Sequence, residues 1–503
     1  MKKLCCILLT AALILSAAAC SSAQSASGKG EGGSIFTGGT SSTDSFLTEN
    51  DVSNFEQDES YDEEANVQAT STPEPTSVEL WYGTQFSSGK ALVEYLDPVL
   101  EIYKYGIIST NGEITPLKTE VTPSIEADTG TPKYYTGHFW GEYGYIPYRA
   151  GDMTYISQFI LFDAMGNVSY KTPEDSDYEV LASGEDLLLI RQTVESIAGK
   201  EVRIGIMDKD GNWICEPAVE NAMSFSSLDE TEKESFIYYS YHGEHVFSAY
   251  YNPGTDSIDS YLVIYNVDTG AKVEYTNLKI EDNMYYQFQF SNGESIVTSK
   301  DTIYRIQASD LSITPILENR PNGPIIYQNG VFFTCIKDDT YYVKKTTVHD
   351  GKFYNMDGAA IADLSQYTLV WAWGGQYLYR FEDGYAGVLI RAEDVQKHYL
   401  GVINKNGEFV FDPIAINYRE NGPDEYYSGD AEVNALSGGV IPFDSMVDDI
   451  GRLLSVSGEV TQGNFADESI KSIVFCDGYT WAENEKRYLS IDGAVVTPVL
   501  ISE

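Results

Sequence analysis

The sequence predicts an all-β protein built from repeated antiparallel β-meanders of about 49 residues. Its composition favours strands, because the chain contains 38 Tyr and 21 Phe residues and almost no stretch with helical periodicity. Short apolar runs such as YLVIYNV and SFIYYSY are separated every 8 to 12 residues by Asn-Gly, Asp-Gly, Gly-Gly or Thr-Gly, which are typical of hairpin turns. This pattern continues for more than four hundred residues, so a repeated sheet is expected rather than one sandwich.

Residues 1–19 have the features of an export signal. Lys2 and Lys3 precede an apolar run over 4–15, and small residues fill positions 16–19 before Cys20. This pattern resembles the lipobox of bacterial lipoproteins, with Ala17 where leucine is usual. The resemblance implies cleavage before Cys20, lipidation of its thiol with diacylglycerol and palmitate, and a cell-membrane location facing outside the cytoplasm. An ordinary secretory cleavage site or an uncleaved anchor is the alternative.

Residues 20–76 are predicted to be a disordered, acidic Ser/Thr/Gly-rich linker that follows the lipidated cysteine. The segment has eleven acidic residues against the single Lys29 and shows no apolar periodicity, so it repels itself and cannot bury a core. Flexible-chain scaling gives a mean reach of roughly 40 Å. We expect this segment to tether the folded body to a membrane surface.

Residues 77–503 form the predicted β-repeat domain, and they are acidic throughout. The whole chain has a net charge of −44, of which the signal contributes +2 and the linker −10, leaving −36 for this domain. Lys and Arg are scattered, so nucleic acid is not an expected partner. The acidity favours cationic partners and metal ions, or it only keeps an exported protein soluble.

Three segments of the domain share one sequence frame. YGIISTNGEITP (105–116), IGIMDKDGNWICEP (204–217) and LGVINKNGEFVFDP (400–413) each contain two glycines six residues apart. The starts of consecutive frames are 99 and 196 residues apart, close to two and four times 49. Looser copies lie between them, each with a strand, a polar turn and a strand.

This frame resembles two families of bacterial β repeats. Gly205, Asp208, Lys209, Gly211 and Pro217 match the WG repeat, as do Gly401, Lys405, Gly407 and Pro413, although the tryptophan is absent. VDTGAKVEY (267–275) resembles the end of a β-propeller blade. A period near 49 is what four short strands and their turns occupy, so seven or eight blades of a β-propeller fit the span from about residue 77 to 503, and the final segment VVTPVLI is expected to close the ring on the first blade. An open array of WG-type β hairpins is the alternative.

The aspartates of DKDGN suggest either a calcium loop or a turn. The related segments read NKNGE, STNGE and DAMGN and lose these carboxylates, and Val219 stands where an EF-hand requires an acid. A turn is therefore predicted. The pattern His242, Glu244 and His245 has loose spacing and no identifiable third ligand, so a hairpin turn is favoured over a metal site there as well.

Aromatic residues are the candidate ligand-binding residues. Trp140 and Tyr143 belong to one cluster, and Trp371 and Trp373 to another. Exposed rings would stack on sugars or peptide side chains, whereas strand core is the alternative. Cys215, Cys335 and Cys476 lie in alternating apolar runs typical of small buried residues, and the sequence leaves open whether two of them pair.

No serine elbow, zinc-protease helix, phosphate loop or Asp-box of sialidase propellers is present in the sequence, and no cofactor is predicted. We therefore expect a membrane-anchored extracellular lipoprotein that acts as a binding or scaffolding module for a protein, peptide or glycan, and not an enzyme. The alternative is an extracellular propeller hydrolase or lyase that uses a carboxylate pair, because the partnership of two acids is spatial and cannot be seen in the sequence.

Overall fold

The structure is a computed structural model. It describes residues 76–123, 137–149, 157–197, 199–226, 237–251, 260–279, 281–282, 286–321, 323–337, 346–371, 378–391, 398–416, 433–444, 451–463 and 473–501. The predicted signal and almost all of the linker lie outside these ranges. Every regular element within them is a β-strand. None of the described residues belongs to a helix with the length and apolarity needed to cross a membrane.

The first half of the domain contains four meanders in chain order. The first meander has the strands β1 (Thr76–Ser77), β2 (Leu80–Gly83), β3 (Lys90–Leu96), β4 (Tyr103–Ser109) and β5 (Glu113–Pro116). The second has β6 (His138–Phe139), β7 (Tyr143–Arg149), β8 (Ser157–Asp163) and β9 (Val168–Lys171). The third has β10 (Asp177–Ser183), β11 (Leu187–Ser196), β12 (Gly199–Asp208) and β13 (Trp213–Ala218). The fourth has β14 (Ile237–Tyr241), β15 (Val246–Tyr251), β16 (Tyr261–Asn266) and β17 (Lys272–Thr276).

The second half continues the pattern with smaller and joined sheets. A short hairpin of β18 (Glu281–Asp282) and β19 (Tyr286–Gln287) precedes the sheet of β20 (Glu294–Thr298), β21 (Thr302–Gln307) and β22 (Ile313–Glu318). One eight-stranded sheet then joins two meanders, because β25 pairs with both β26 and β27. Its strands are β23 (Ile325–Gln328), β24 (Val331–Lys337), β25 (Thr346–Asn355), β26 (Ala360–Asp363), β27 (Thr368–Trp371), β28 (Tyr385–Arg391), β29 (His398–Asn404) and β30 (Ile414–Ile416).

The last sheets complete the ring back to the first meander. They contain β31 (Val440–Asp444), β32 (Gly451–Ser455) and β33 (Val460–Gln462), followed by β34 (Tyr479–Ala482) and β35 (Arg487–Ser490), and finally β36 (Val499–Leu500). Strand β36 pairs in parallel with β5 and antiparallel with β1. The Tyr488 hydroxyl also donates a hydrogen bond to the Thr84 carbonyl, 2.6 Å away. The ring is therefore closed, as the final segment of the sequence predicted, which excludes the open array.

The architecture is a β-propeller, which confirms the predicted fold, with a number of blades close to the predicted seven or eight. The central strands carry continuous runs of buried residues, as in Ser157–Asp163 and Tyr385–Arg391, so each blade buries both faces against its neighbours. In β3, Val93 packs toward the last blade and Leu92 toward the second. The core is thus distributed between the blades.

Two turns recur in the blades. The inner turn joins the first and second strands, and in most blades it consists of two residues with positive φ, such as Asn292 and Gly293 at 56° and 80°. This is the conformation of a type I′ turn. The outer turn joins the third and fourth strands. Here a side chain at the first position accepts backbone N–H groups two and four residues later, as Asp163 does from Met165 and Asn167 at 2.9 Å each.

The inner and outer turns of one blade lie at the same end of its sheet and bond to each other. The amide of Thr110 donates to the Gly89 carbonyl at 3.2 Å, and that of Lys209 donates to the Asp186 carbonyl at 2.9 Å. We call this end of the propeller the turn face. The opposite end, where the second strand of each blade connects to the third, is the connection face.

Candidate functional site

The loop with three alternating polar residues, Asp208 to Asn212, is an outer turn. One oxygen of Asp208 accepts the amides of Asp210 at 3.0 Å and Asn212 at 2.8 Å, and the other accepts the Asn212 side-chain amide at 3.1 Å. Asn404 makes the same two backbone contacts without any carboxylate of its own. The turn is therefore held by its own N–H groups, as the repeated frame predicted.

This turn borders a cleft of about 260 Å³ on the turn face. The cleft lies between the blade of β10–β13 and the blade of β14–β17. Its charged lining comes from the inner and outer turns of both blades, and Leu187, Ile214 and Val267 supply apolar surface. The charged lining residues are Asp186, Asp208, Lys209, Asp210, His245 and Asp268.

His245 bridges the two blades at this cleft. Its Nδ1 lies 2.7 Å from an Asp268 oxygen on its own blade, and its Nε2 lies 3.0 Å from the Asp186 carboxylate on the preceding blade. A neutral imidazole has only one N–H, so two contacts with carboxylates require the doubly protonated ring. The geometry thus favours an imidazolium between two carboxylates.

The electrostatic environment favours this charged form. Burial acts to lower the pKa of His245, but hydrogen bonds and charge from Asp268 and Asp186 outweigh it and raise the pKa above its usual value. The ring is 32% exposed, so solvent weakens the effect. Two consecutive non-glycine residues of the turn, Glu244 and His245, have positive φ values of 47° and 57°. Such strained backbone is concentrated at functional sites in proteins.

A second ion pair lies at the edge of the cleft. The Lys209 ammonium donates to Glu142 in the inner turn of the second blade, with Nζ 2.6 Å from Oε2. This hydrogen bond lowers the pKa of Glu142 and raises the pKa of Lys209. Lys209 is paired with a residue outside the cleft. The negative charge of the aspartates that line the cleft therefore exceeds the positive charge available to neutralise it.

Close packing fixes the inner turn that carries Asp186. A Cβ on Gly184 would lie 2.1 Å from the Tyr241 ring of the next blade. On the other side, the Tyr143 hydroxyl of the preceding blade donates to the Gly184 carbonyl. The position of Asp186 is therefore determined by both neighbouring blades.

The first predicted aromatic cluster lies in the core rather than on an exposed platform. Tyr143 is only 2% exposed, which agrees with the strand-core alternative. Trp140 is half-buried and stacks on Tyr143 and Tyr145, with ring centroids 5.3 and 5.8 Å apart. Alternating residues of an inner strand face the neighbouring blades, and this places the rings between them. Of the second cluster, the side chain of Trp371 and all of Trp373 lie outside the described residues.

The pattern around His242 forms the turn between the antiparallel strands β14 and β15, which confirms the predicted hairpin. His242 is fully buried with Nε2 2.6 Å from the Ser248 hydroxyl, and burial lowers its pKa to about 3. Both Glu244 oxygens lie about 3 Å from the Gly293 amide of the next inner turn. Among the described residues, no group of His, Cys, Asp and Glu side chains is arranged to hold a metal ion.

The three cysteines of the domain are buried or half-buried, as the alternating apolar runs around them predicted. Cys335 is fully buried, Cys476 is 4% exposed and Cys215 is half-buried. Cys215 and Cys335 are free thiols.

Sequence reasoning did not identify the cleft. Asp208, Asp210, His245 and Asp268 each belong to segments with a recognisable turn pattern, but Asp186 carries no such signal. Asp186 and His245 are 59 residues apart in the chain and meet because their blades are neighbours. The only signal in the sequence was the repeat period, which predicts that turns of successive blades share one face.

No known protein family and no curated protein matches this sequence. Among solved structures, the chain is similar to a eukaryotic initiation factor, with 10% identity over 77% of this chain and 89% of that one and a TM-score of 0.40. It is similar to the Dos1 propeller, with 12% identity, coverage of 76% and 95%, and a TM-score of 0.32. It is also similar to dipeptidyl peptidase 4 from Porphyromonas gingivalis, with 9% identity, coverage of 76% and 58%, and a TM-score of 0.39. At such low identities the likeness concerns the fold alone.

Proposed function

We propose that this chain is a membrane-anchored extracellular lipoprotein whose propeller binds a protein, peptide or glycan partner. The observation that supports it is the cleft on the turn face, which combines apolar surface with an excess of carboxylates between two rigidly packed blades. A closed ring of sheets holds such turns in fixed positions while their sequences vary. This arrangement suits recognition of a surface.

The chemistry of the cleft favours a partner with a basic side chain. Asp210 and Asp268 present carboxylates to the cleft, and a domain charge of −36 attracts cations at long range. A Lys or Arg side chain would place its charge among the aspartates and its methylene groups against Ile214 and Val267. Peptides carrying these residues are thus the first ligands to test.

The binding test uses the full chain and a panel of peptides that contain Lys or Arg, with matched neutral peptides. We expect binding that weakens as salt rises, and a loss of about tenfold for Asp210→Asn combined with Asp268→Asn. Asp492→Asn is the control, because Asp492 occupies the equivalent position in the outer turn of the last blade, remote from the cleft lining. Equal binding of neutral peptides would contradict the proposal.

The same preparation distinguishes binding from catalysis. It is incubated with glycoside, peptide and ester substrates. Reproducible turnover that disappears when a single carboxylate is changed would support the hydrolase or lyase alternative over a binding module.

The anchor requires its own experiment. Cys20→Ala is expected to remove acyl labelling and to release the protein from the membrane fraction, whereas the unchanged chain remains bound. A chain that carries no lipid, together with a variant that stays fully membrane-bound, would show that Cys20 is not the anchor.

A further inference from the structure

We propose that the connection face of the propeller contacts the lipid bilayer through two protruding apolar tips. The inference rests on the proposed lipid anchor, and it identifies the face of the body that the anchor holds against the membrane. The first tip is the loop between β3 and β4, and the second is the end of the β11–β12 hairpin.

The first tip presents three aliphatic side chains to solvent. Val99 is 83% exposed, Leu100 55% and Ile102 43%, all within one loop of the first blade. Isolated exposed apolar residues are common on soluble proteins, but three within four positions form a patch. This patch lacks a protein contact among the described residues that would bury it.

The loop is built to hold these side chains outward. The buried carboxylate of Asp97 accepts the amides of Val99 at 2.9 Å and Leu100 at 3.0 Å, and it pairs with the Lys104 ammonium at 2.8 Å. Glu101 adopts a positive φ of 53°, and its amide donates to the Asp97 carbonyl at 2.9 Å. The apolar tip is therefore rigid, and little conformational entropy is lost when it inserts.

Two aromatic side chains and one lysine lie at the base of this tip. The Trp81 and Tyr103 rings meet edge to face with centroids 5.6 Å apart, and the Lys486 ammonium lies 5.4 Å from the Trp81 ring centre. Trp and Tyr concentrate at the level of lipid headgroups, and lysines beside them reach the phosphates. The aliphatic tip would therefore lie in the apolar layer of the bilayer, while the aromatic and basic side chains at its base lie at the level of the headgroups.

The second tip lies on the same face of the propeller. The hairpin extends beyond its neighbours, because β10 pairs with β11 only as far as Thr193 and β13 pairs with β12 only as far as Ile204. Ile197 at its end is fully exposed, and Val202 is 43% exposed. The charges beside them are balanced in pairs, Lys200 with Glu195 and Arg203 with Glu201.

The position of the chain outside the described residues favours a bilayer as the occupant. Strand β1 begins at Thr76 in the same blade as the first tip, and 55 residues separate it from the proposed anchor at Cys20. A tether of this kind keeps the body near the surface at an effective concentration on the order of millimolar, so weak insertion suffices. Contact through this face leaves the turn face and its cleft pointing away from the membrane.

The test measures lipid contact at single positions in the full, anchored chain. In a Cys215→Ser background, Val99→Cys, Ile197→Cys and Met165→Cys each carry a bimane fluorophore, and the protein is reconstituted in phosphatidylcholine vesicles with nitroxide-labelled lipid. Met165 is the matched control, since it is 61% exposed in an outer turn on the opposite face. We expect quenching at 99 and 197 at least twofold greater than at 165.

A second substitution tests the role of the tip itself. Leu100→Glu is expected to reduce quenching at 99 at least twofold without changing the melting temperature, because Leu100 is exposed, whereas Met165→Glu leaves quenching at 99 unchanged. Equal quenching at 99 and 165 overturns the inference, as does shielding of position 99 from iodide without lipid quenching, which would indicate a protein partner. Fractionation and acyl labelling of the same samples report separately whether the anchor is present.

Discussion

At the scale of the residue, the two carboxylates beside His245 stabilise the charged form of its ring. Alone in an exposed turn, an imidazole is largely neutral at pH 7. Between Asp186 and Asp268 it has an acceptor for each ring nitrogen. Asp208, Asp210 and Lys209 are the other charged residues that line the cleft around it. The charged ring then links two blades.

His245→Gln should therefore reduce stability in a pH-dependent way. The folded-state pKa lies above the unfolded value of about 6.5, so the stabilisation is fully present below about pH 6.5 and is lost as the pH rises through the raised folded-state value. We expect the variant to lose about 1 kcal/mol at pH 6, because the site is open to solvent, and progressively less at higher pH. Urea unfolding of both proteins from pH 5 to pH 9 measures the difference.

Proton NMR provides the control for this prediction. Desolvation lowers the pKa of the buried His242 to about 3 and that of His138 to about 4, so neither ring should titrate between pH 5 and pH 9. A His245 resonance that titrates below pH 6 would contradict the bridging arrangement.

At the scale of the element, the glycine of an outer turn has a positive φ and also lies against the preceding blade. Gly358 has a φ of 75°, and a Cβ there would lie 2.1 Å from the Ile316 carbonyl oxygen. Gly330, in the inner turn of the same blade, has a φ of 76° but only Met356 at 3.9 Å. The two glycines share one conformation and differ in the space around them.

Alanine at these two positions separates the two effects. Gly330→Ala is expected to cost about 1 kcal/mol, the strain of an L-residue at positive φ. Gly358→Ala is expected to cost about 3 kcal/mol or more, since the clash with a backbone oxygen forces two blades apart. Urea unfolding followed by circular dichroism measures both, and equal losses would show that the contact between blades is unimportant.

From the hydrogen bonds of the outer turns we expect that removing calcium changes the melting temperature only slightly. Both Asp208 oxygens already accept N–H groups of their own turn, and Asn404 holds an equivalent turn without charge. Chelation should leave the melting temperature nearly unchanged. A fall of more than about 8 °C would instead indicate a structural ion that contributes several kcal/mol.

At the scale of the molecule, stability depends on the closure between β36 and the first blade. The amide of Val499 donates to Gly112 at 2.8 Å, that of Ile501 to Ile114 at 3.2 Å, and that of Val78 to Pro498 at 3.2 Å. Deleting residues 498–503 removes these three bonds together with the pairing of β36 with β1, and at about 1 kcal/mol per bond the free energy of unfolding should fall by about 3 kcal/mol or more. Leu500→Ala, which keeps the backbone pairing, is the control and should cost less.

The sequence predicted the parts of this fold that are local or periodic. Gly112, Gly211 and Gly407 marked outer turns because positive φ favours glycine at that step, and the final segment had the composition of a closing strand. The aromatic cluster at Trp140 was ambiguous, since the alternation that would expose a ring on one strand face buries it when a second blade covers that face. The cleft depended on which blades are neighbours, and no local pattern encodes that.

Closure at β36 also fixes when the molecule can be completed during synthesis. A nascent chain emerges from its amino-terminal end, so the first blade forms while its outer edge at β5 still has no partner. The hydrogen-bonding groups of that edge find their partner only after about four hundred further residues have been made. A contact of such large sequence separation is slow to form. Until then the exposed edge can pair with another chain, and aggregation of incomplete chains is the hazard that the last strand removes.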